Sequence, residues 1–320
     1  MLQSAVAHVY QWNATVTRMR FPRIVSGDTY MLISVAIFAL NFTVMKAALH
    51  EFDSMAYAAL RLLVGSAVLL VATKLISGWG SLPRKVWPRL AVAALLGVAA
   101  NQVAVMFALV HTTAANVAVL VPGTIPLFAA LVAAIMRVER LTARNYVGIA
   151  LGLAGVGMVS SPSSANGGAL IGDAAALGSA LAWAAHTVIL RPLMDRLHAV
   201  QLASFTVGLG TMMLAPLGLA AVGRQDFSAI SVGGWAALSF SAIAALVVTQ
   251  VLQFAAIREL GPSRAALYSY LTPFLGALFA YWLLSEVLEP SQLLGACLVV
   301  VGILVSRKSW PTRFRRPSPW

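Results

Sequence analysis

The chain has 320 residues, of which 60% are hydrophobic and 10% charged, with a formal net charge of +12 and a mean hydropathy of +0.86. A soluble domain carries about 25% charged residues, so composition excludes a water-soluble globule and points to an all-α membrane protein. The basic excess does not describe a nucleic-acid surface either, because Lys and Arg fall at the ends of apolar runs and in both tails, which is how a membrane protein holds its orientation.

Residues 1–28 read as a cytoplasmic tail. Arg18, Arg20 and Arg23 follow its short apolar pieces rather than precede them, which makes a poor signal peptide, and Met19 is an alternative start. Crossing a bilayer takes about 20 apolar residues in a helix. Ten such runs follow: Thr29–Ala48, Met55–Ile76, Trp87–Leu109, Ala114–Met136, Thr142–Val159, Asp173–Arg191, Val200–Val222, Gly234–Ile257, Pro262–Leu284 and Pro290–Ser306. Residues 307–320 form a basic tail. Backbone groups in lipid must be satisfied within a segment, so helices are expected, and no alternating strands suggest a barrel.

With the N-terminus inside, the inner segments hold 19 basic residues and the outer ones only Lys46 and Arg224, with Arg61 left within a span. That asymmetry is expected to place both termini in the cytoplasm.

The chain also repeats itself. At an offset of 147, Pro126 falls on Pro273, Glu139 on Glu286, Leu141 on Leu288, Gly148 on Gly295, Leu151 on Leu298 and Gly155 on Gly302. At 145, Phe38 meets Trp183 and Lys46 meets Arg191. The halves are therefore expected at 29–159 and 173–306. Five spans per half is an odd number, so the halves enter the membrane in opposite directions, as in many secondary transporters.

The segments Phe38–Lys46, Ala182–His186, Pro126 with Val138–Leu141 and Gly148, and Pro273 with Ser285–Leu288 and Gly295 resemble the EamA-type members of the drug/metabolite transporter superfamily. The resemblance covers nearly all of 29–306. It implies a ten-helix basket around a central cavity, and export or exchange of metabolites, often amino acids. The first span departs from the family's usual Trp-Gly-Ser-Asn; Phe38-Ala-Leu-Asn41 stands in its place.

Polar groups within spans need a reason, since lipid cannot solvate them. Asn41 in the first span and Asn101 and Gln102 in the third either face a cavity or bond neighbouring helices. Gln250 and Gln253, three apart on one face of the eighth span, suit an uncharged or zwitterionic solute. Trp183 and His186 are spaced likewise on the sixth: an indole to cover substrate, an imidazole to bind it or carry a proton. Tyr268 and Tyr270 in the ninth span are two apart, so only one can face a cavity and close over substrate; the sequence does not say which, and Tyr268 is taken as the candidate. Pro126 and Pro273 are candidate gate hinges. Arg61 reads as a structural cation, with carboxylate capture as the other reading. Glu139 and Glu286 read as partners for cations or helix ends, and no Asp or Glu is expected deep in a span.

Gly148, Gly152 and Gly155, with Gly295 and Gly302, form small-residue faces for close packing or a dimer contact. Cys297, the single cysteine, is expected as a small packed side chain. No metal cluster, cofactor motif or enzymatic constellation is apparent. The expected partners are a small-molecule substrate and the bilayer, in a monomer or weak homodimer. A nucleotide-sugar or phosphorylated-metabolite exchanger would need more cations in the spans. A scaffold or receptor would not need polar residues at matched places in both halves.

Overall fold

The computed structural model describes residues 26–76, 82–137, 141–160, 167–194, 197, 199–260 and 268–307. Among them there is no strand. The helices are α1 (Gly27–Ala48), α2 (Ser54–Ile76), α3 (Arg84–His111), α4 (Ala114–Ile135), α5 (Ala143–Val159), α6 (Gly167–Met194), α7 (Ala199–Val222), α8 (Val232–Ser239 continuing through Phe240–Val248 to Thr249–Leu260), α9 (Ser269–Leu284) and α10 (Pro290–Arg307). Among the described residues, seven segments are long and apolar enough to cross a membrane, and α5, α9 and α10 are shorter apolar helices. The chain is an integral membrane protein.

Local sequence sets the ends. Thr113 Oγ1 accepts the Asn116 N–H at 3.1 Å and starts α4; Ser231 Oγ accepts the Gly234 N–H at 3.1 Å and starts α8. Asn145 Oδ1 accepts the Thr142 N–H at 2.8 Å at the start of α5. At the start of α10, Gln292 Oε1 accepts the Glu289 N–H at the same distance. Thr142 and Glu289, and Asn145 and Gln292, are again 147 apart. A side chain reaching back to the N-cap donor is therefore part of the duplication.

Neither α3 nor α8 is a plain α-helix. Leu95–Ala100 of α3 and Phe240–Val248 of α8 are wound as π-helix. The first, moved by 147, falls inside the second. A π turn breaks the regular hydrogen-bond ladder and so leaves nearby carbonyls open to outside donors.

The halves interdigitate. α5 packs along α10, α2 along α7, α4 along α6, α9 along α1, α3 along α6, α8 along α1, and α4 against α9. Every one of these pairs joins a helix before residue 160 to one after 166. Exchanging α1 with α6, α2 with α7, α3 with α8, α4 with α9 and α5 with α10 returns the same set. The main core runs through this seam, with Met45, Tyr57, Met106, Leu120, Val159 and Val299 among its fully buried members.

The glycine faces lie in the seam as well. A Cβ on Gly155 of α5 would sit 2.6 Å from the Gly295 carbonyl oxygen of α10, and one on Gly295 would sit 2.6 Å from that of Gly155. These faces are consumed within the chain. Cys297 departs from expectation: it is exposed on α10 and so is not a packed side chain.

Candidate functional site

The middle of the bundle holds a connected set of buried polar groups. Arg61 of α2 donates from Nε to the Ser241 carbonyl at 3.3 Å and from Nη1 to Gln102 Oε1 of α3 at 2.9 Å. Ser241 lies in the π stretch of α8, and its Oγ donates to Asn41 Oδ1 of α1 at 2.7 Å. The Asn41 amide nitrogen turns back to Met45 Sδ at 2.9 Å. Asn41 thus ties α1 to α8. Gln102 Nε2 is fully enclosed and has no partner.

His186 of α6 is the counterpart of Asn41 at the offset of 145. It meets the other π helix. Its Nδ1 lies 2.8 Å from the Ala93 carbonyl oxygen of α3, which can only accept, so Nδ1 carries the proton and Nε2 is left over. The imidazole lies over Gly97, where a Cβ would overlap the ring. Trp183 stacks on it with centroids 5.1 Å apart. Nearby, Asn101 Nδ2 donates to the Ser179 carbonyl of α6 at 2.9 Å. In each half, one polar side chain from α1 or α6 therefore seats on the π-wound helix of the other half.

Gln250 and Gln253 lie further along α8, both half-buried, and neither side chain is hydrogen-bonded among the described residues. Tyr268 is separate from the central set: its hydroxyl donates to Asp28 at the start of α1. The two hinge candidates differ. Pro126, with Pro122, is inside α4 and removes a helical bond. Pro273 follows the 3-10 turn Ser269–Leu271, at the start of the α-helical stretch Thr272–Leu284.

A second polar cluster closes one end of the bundle, at the α3–α4 turn. Lys46 Nζ donates to the carbonyls of Leu109 and Thr112, the latter at 2.8 Å, and so caps the carbonyl end of α3. Glu286 does the converse, accepting the Ala114 and Ala115 N–H groups at 2.8 and 2.9 Å. Its carboxylate offsets the positive end of α4. Replacing Glu286 with alanine is expected to lower stability by about 1–2 kcal/mol, as for loss of a charged N-cap, measured by thermal unfolding in detergent. Glu139 lies outside the described residues.

The sequence reading starts the sixth span at Asp173, and the helix starts six residues earlier. α6 begins at Gly167, so Asp173 is inside the helix and only 1% exposed. The Thr112 hydroxyl donates to it at 2.6 Å and the Asn116 amide at 3.0 and 3.2 Å. Gln292 of α10 then donates to Asn116 Oδ1 at 2.7 Å. The helix starts earlier than its apolar run because Gly167–Ile171 continues it outward with small and apolar residues. A signal for Asp173 was present: it stands 145 residues after Asp28.

Beside the Asn41–Ser241 bond, an open groove of about 370 Å³ lies between α1, α8 and α9, lined by Thr43, Val44, Phe240, Leu283 and neighbours. Thr43 is its sole polar lining residue, and the enclosed Thr43 Oγ1 has no partner.

An all-helical membrane bundle with like halves, whose central polar side chains meet across the seam, is the architecture of a membrane transporter. The chain belongs to the EamA-like transporter family, which matches it twice, over residues 25–161 and 170–307. It is 26% identical to an uncharacterized transporter of Archaeoglobus fulgidus over 88% of this chain and 98% of that one. It is 24% identical to the "Probable terminal-alkyne amino-acid exporter" of Streptantibioticus cattleyicolor, covering 90% and 96%. It is 26% identical to the "Probable amino-acid metabolite efflux pump" of Salmonella typhimurium, covering 86% and 92%. A crystal structure 20% identical in sequence shares the fold, with a TM-score of 0.61 over 88% of this chain and 98% of the other. The protein is a non-enzymatic transporter.

Proposed function

We propose that this protein is a secondary transporter that exports a small uncharged or zwitterionic metabolite, an amino acid or similar, by alternating access. The observation that carries the reading is the pair of π-wound helices at one repeat position, each gripped by a polar residue of the opposite half. Two related halves packed through such a seam have two equivalent ways to part, one toward each side. In this reading, ten helices span the bilayer as inverted repeats at 29–159 and 173–306. Tails 1–28 and 307–320 are cytoplasmic, and the membrane is the bacterial inner membrane.

The solute site we assign is formed by Asn41, Asn101, Gln102, Trp183, His186, Gln250 and Gln253 as the halves part, with Tyr268, apart from them at the start of α9, closing over the solute and Pro126 and Pro273 as hinges. The unpartnered amides of Gln250 and Gln253 are its most available donors and acceptors. Two relatives, one named a probable terminal-alkyne amino-acid exporter and one a probable amino-acid metabolite efflux pump, support the solute class. The glycine faces are taken up between α5 and α10, which favours a monomer over a dimer built on them. A phosphorylated solute is disfavoured, because Lys46 is committed to backbone carbonyls and leaves Arg61 as the one buried guanidinium among the described residues.

Counterflow of amino acids in proteoliposomes, with and without a pH gradient, tests the reading. The wild-type protein is expected to exchange at least one of them. Gln253→Ala and Gln250→Ala are each expected to slow flux about tenfold at unchanged thermal stability, since a hydrogen bond to a charged or zwitterionic solute contributes about 1.5 kcal/mol. Unchanged flux in both variants and in His186→Ala would remove the site. Absence of any flux from the wild-type protein would remove the function.

A further inference from the structure

We propose that Arg61 and the free amide of Gln102 form the carboxylate-binding point for the transported solute, so that the substrate must carry a carboxylate and an uncharged metabolite is excluded. This rests on the transporter reading and narrows it.

A guanidinium offers several N–H donors and is charged at any physiological pH. Arg61 is 8% exposed and uses two nitrogens, Nε toward the Ser241 carbonyl at 3.3 Å and Nη1 toward Gln102 Oε1 at 2.9 Å. Both acceptors are neutral. Nη2 makes no hydrogen bond among the described residues, and no carboxyl group there pairs with the cation. A buried charge in a membrane normally has a counter-charge, because neutral dipoles compensate its lost hydration only in part.

The second observation is independent of the first. Gln102 is 5% exposed, and its Nε2 is one of the few enclosed side-chain atoms with no partner at all. Its Oε1 is held by Arg61, so the spare amide donor is held close beside the guanidinium. Unused donors on a cation, next to an unused neutral donor, match the two oxygens of a carboxylate: one engages the guanidinium fork and the other takes the amide N–H.

The location fits a solute that enters as the halves part. Arg61 and Gln102 belong to the first half and Ser241 to the second. The 3.3 Å bond to Ser241 is the longer of the two and the only one of them that crosses the seam. Breaking it frees Nε as well, and the Arg61–Gln102 pair stays intact to receive the anion.

The test uses the full chain in proteoliposomes, with leucine, phenylalanine and threonine as probes against their carboxamides, which keep the amine and lose the carboxylate. The wild-type protein is expected to prefer the acids by about tenfold to a hundredfold. Gln102→Glu supplies an internal carboxylate to Arg61. It is expected to raise the melting temperature and abolish acid transport. Arg61→Gln is expected to remove the preference for acids. If carboxamides move as well as acids in the wild-type protein, the proposal fails while transport stands. If Gln102→Glu folds and still transports the acids at the wild-type rate, Arg61 is only a tie between helices and the proposal fails. If the wild-type protein moves none of the probes, the proposal and the amino-acid reading fall together.

Discussion

Asp173→Ala is expected to lower stability by about 2–3 kcal/mol and to loosen the end of the bundle at the α3–α4 turn. The carboxyl group receives the Thr112 hydroxyl and both contacts of the Asn116 amide, and it is 1% exposed. Removing it strands donors where no water can replace it, which costs about 1–3 kcal/mol per buried group. Relief of the carboxyl group's own burial offsets part of that. Asp173→Asn keeps one acceptor oxygen and should lose less than half as much. The cluster joins α3 and α4 of the first half to α6 and α10 of the second, so weakening it favours separation at that end. Thermal unfolding in detergent reads the stability. A cysteine at Ala115, which is 3% exposed, reads the separation in a Cys297→Ala background. Its labelling by a water-soluble maleimide should speed up in Asp173→Ala. Unchanged melting and unchanged labelling together would show that the cluster does not hold that end.

Gly155→Ala is the second large effect. The added carbon would stand 2.6 Å from the Gly295 carbonyl oxygen and 2.8 Å from the Val299 backbone nitrogen. Backbone on both sides cannot swing away as a side-chain tip can, so α5 and α10 must move apart as units. Overpacking costs about 1–3 kcal/mol where side chains adjust, and this site belongs at or above the upper end. Gly157, on the same helix, has nothing within 4 Å of its Cβ position. Gly157→Ala should be neutral or stabilising by up to about 1 kcal/mol, because alanine is the better helix former. The contrast between the two variants, measured as melting temperatures, separates packing from helix propensity. Equal melting temperatures would contradict the close α5–α10 approach.

Much of the fold was legible in the chain because it depends on repeating, local properties. Apolar runs of helical length show as composition, and observed ends mostly agree with the expected ones, from Ala48 in α1 to Leu284 in α9. Glu286 as a helix-end partner was legible too, since a carboxylate just beyond an apolar helix has few other uses. The central residues were visible as types but not as pairs. Asn41 and Asn101 stood out as polar groups in spans, yet whether each faced solute or neighbour depended on which helix lay opposite. The structure bonds Asn41 to Ser241 and Asn101 to the Ser179 carbonyl. Ser241 escaped notice because serine is small and common in membrane helices; its carbonyl, in the π-wound stretch of α8, accepts from Arg61.

By itself, then, the sequence determined that this is a helical membrane protein made of two like halves, because hydropathy, charge placement and the 147-residue offset are written along one dimension. Only the tertiary structure decided that the halves interdigitate rather than stand side by side. The glycines of α5 have no meaning until those of α10 are brought against them, and Arg61 has none until Gln102 and Ser241 arrive from other helices. Such contacts depend on side-chain direction and helix rotation across the seam, and no local pattern encodes either.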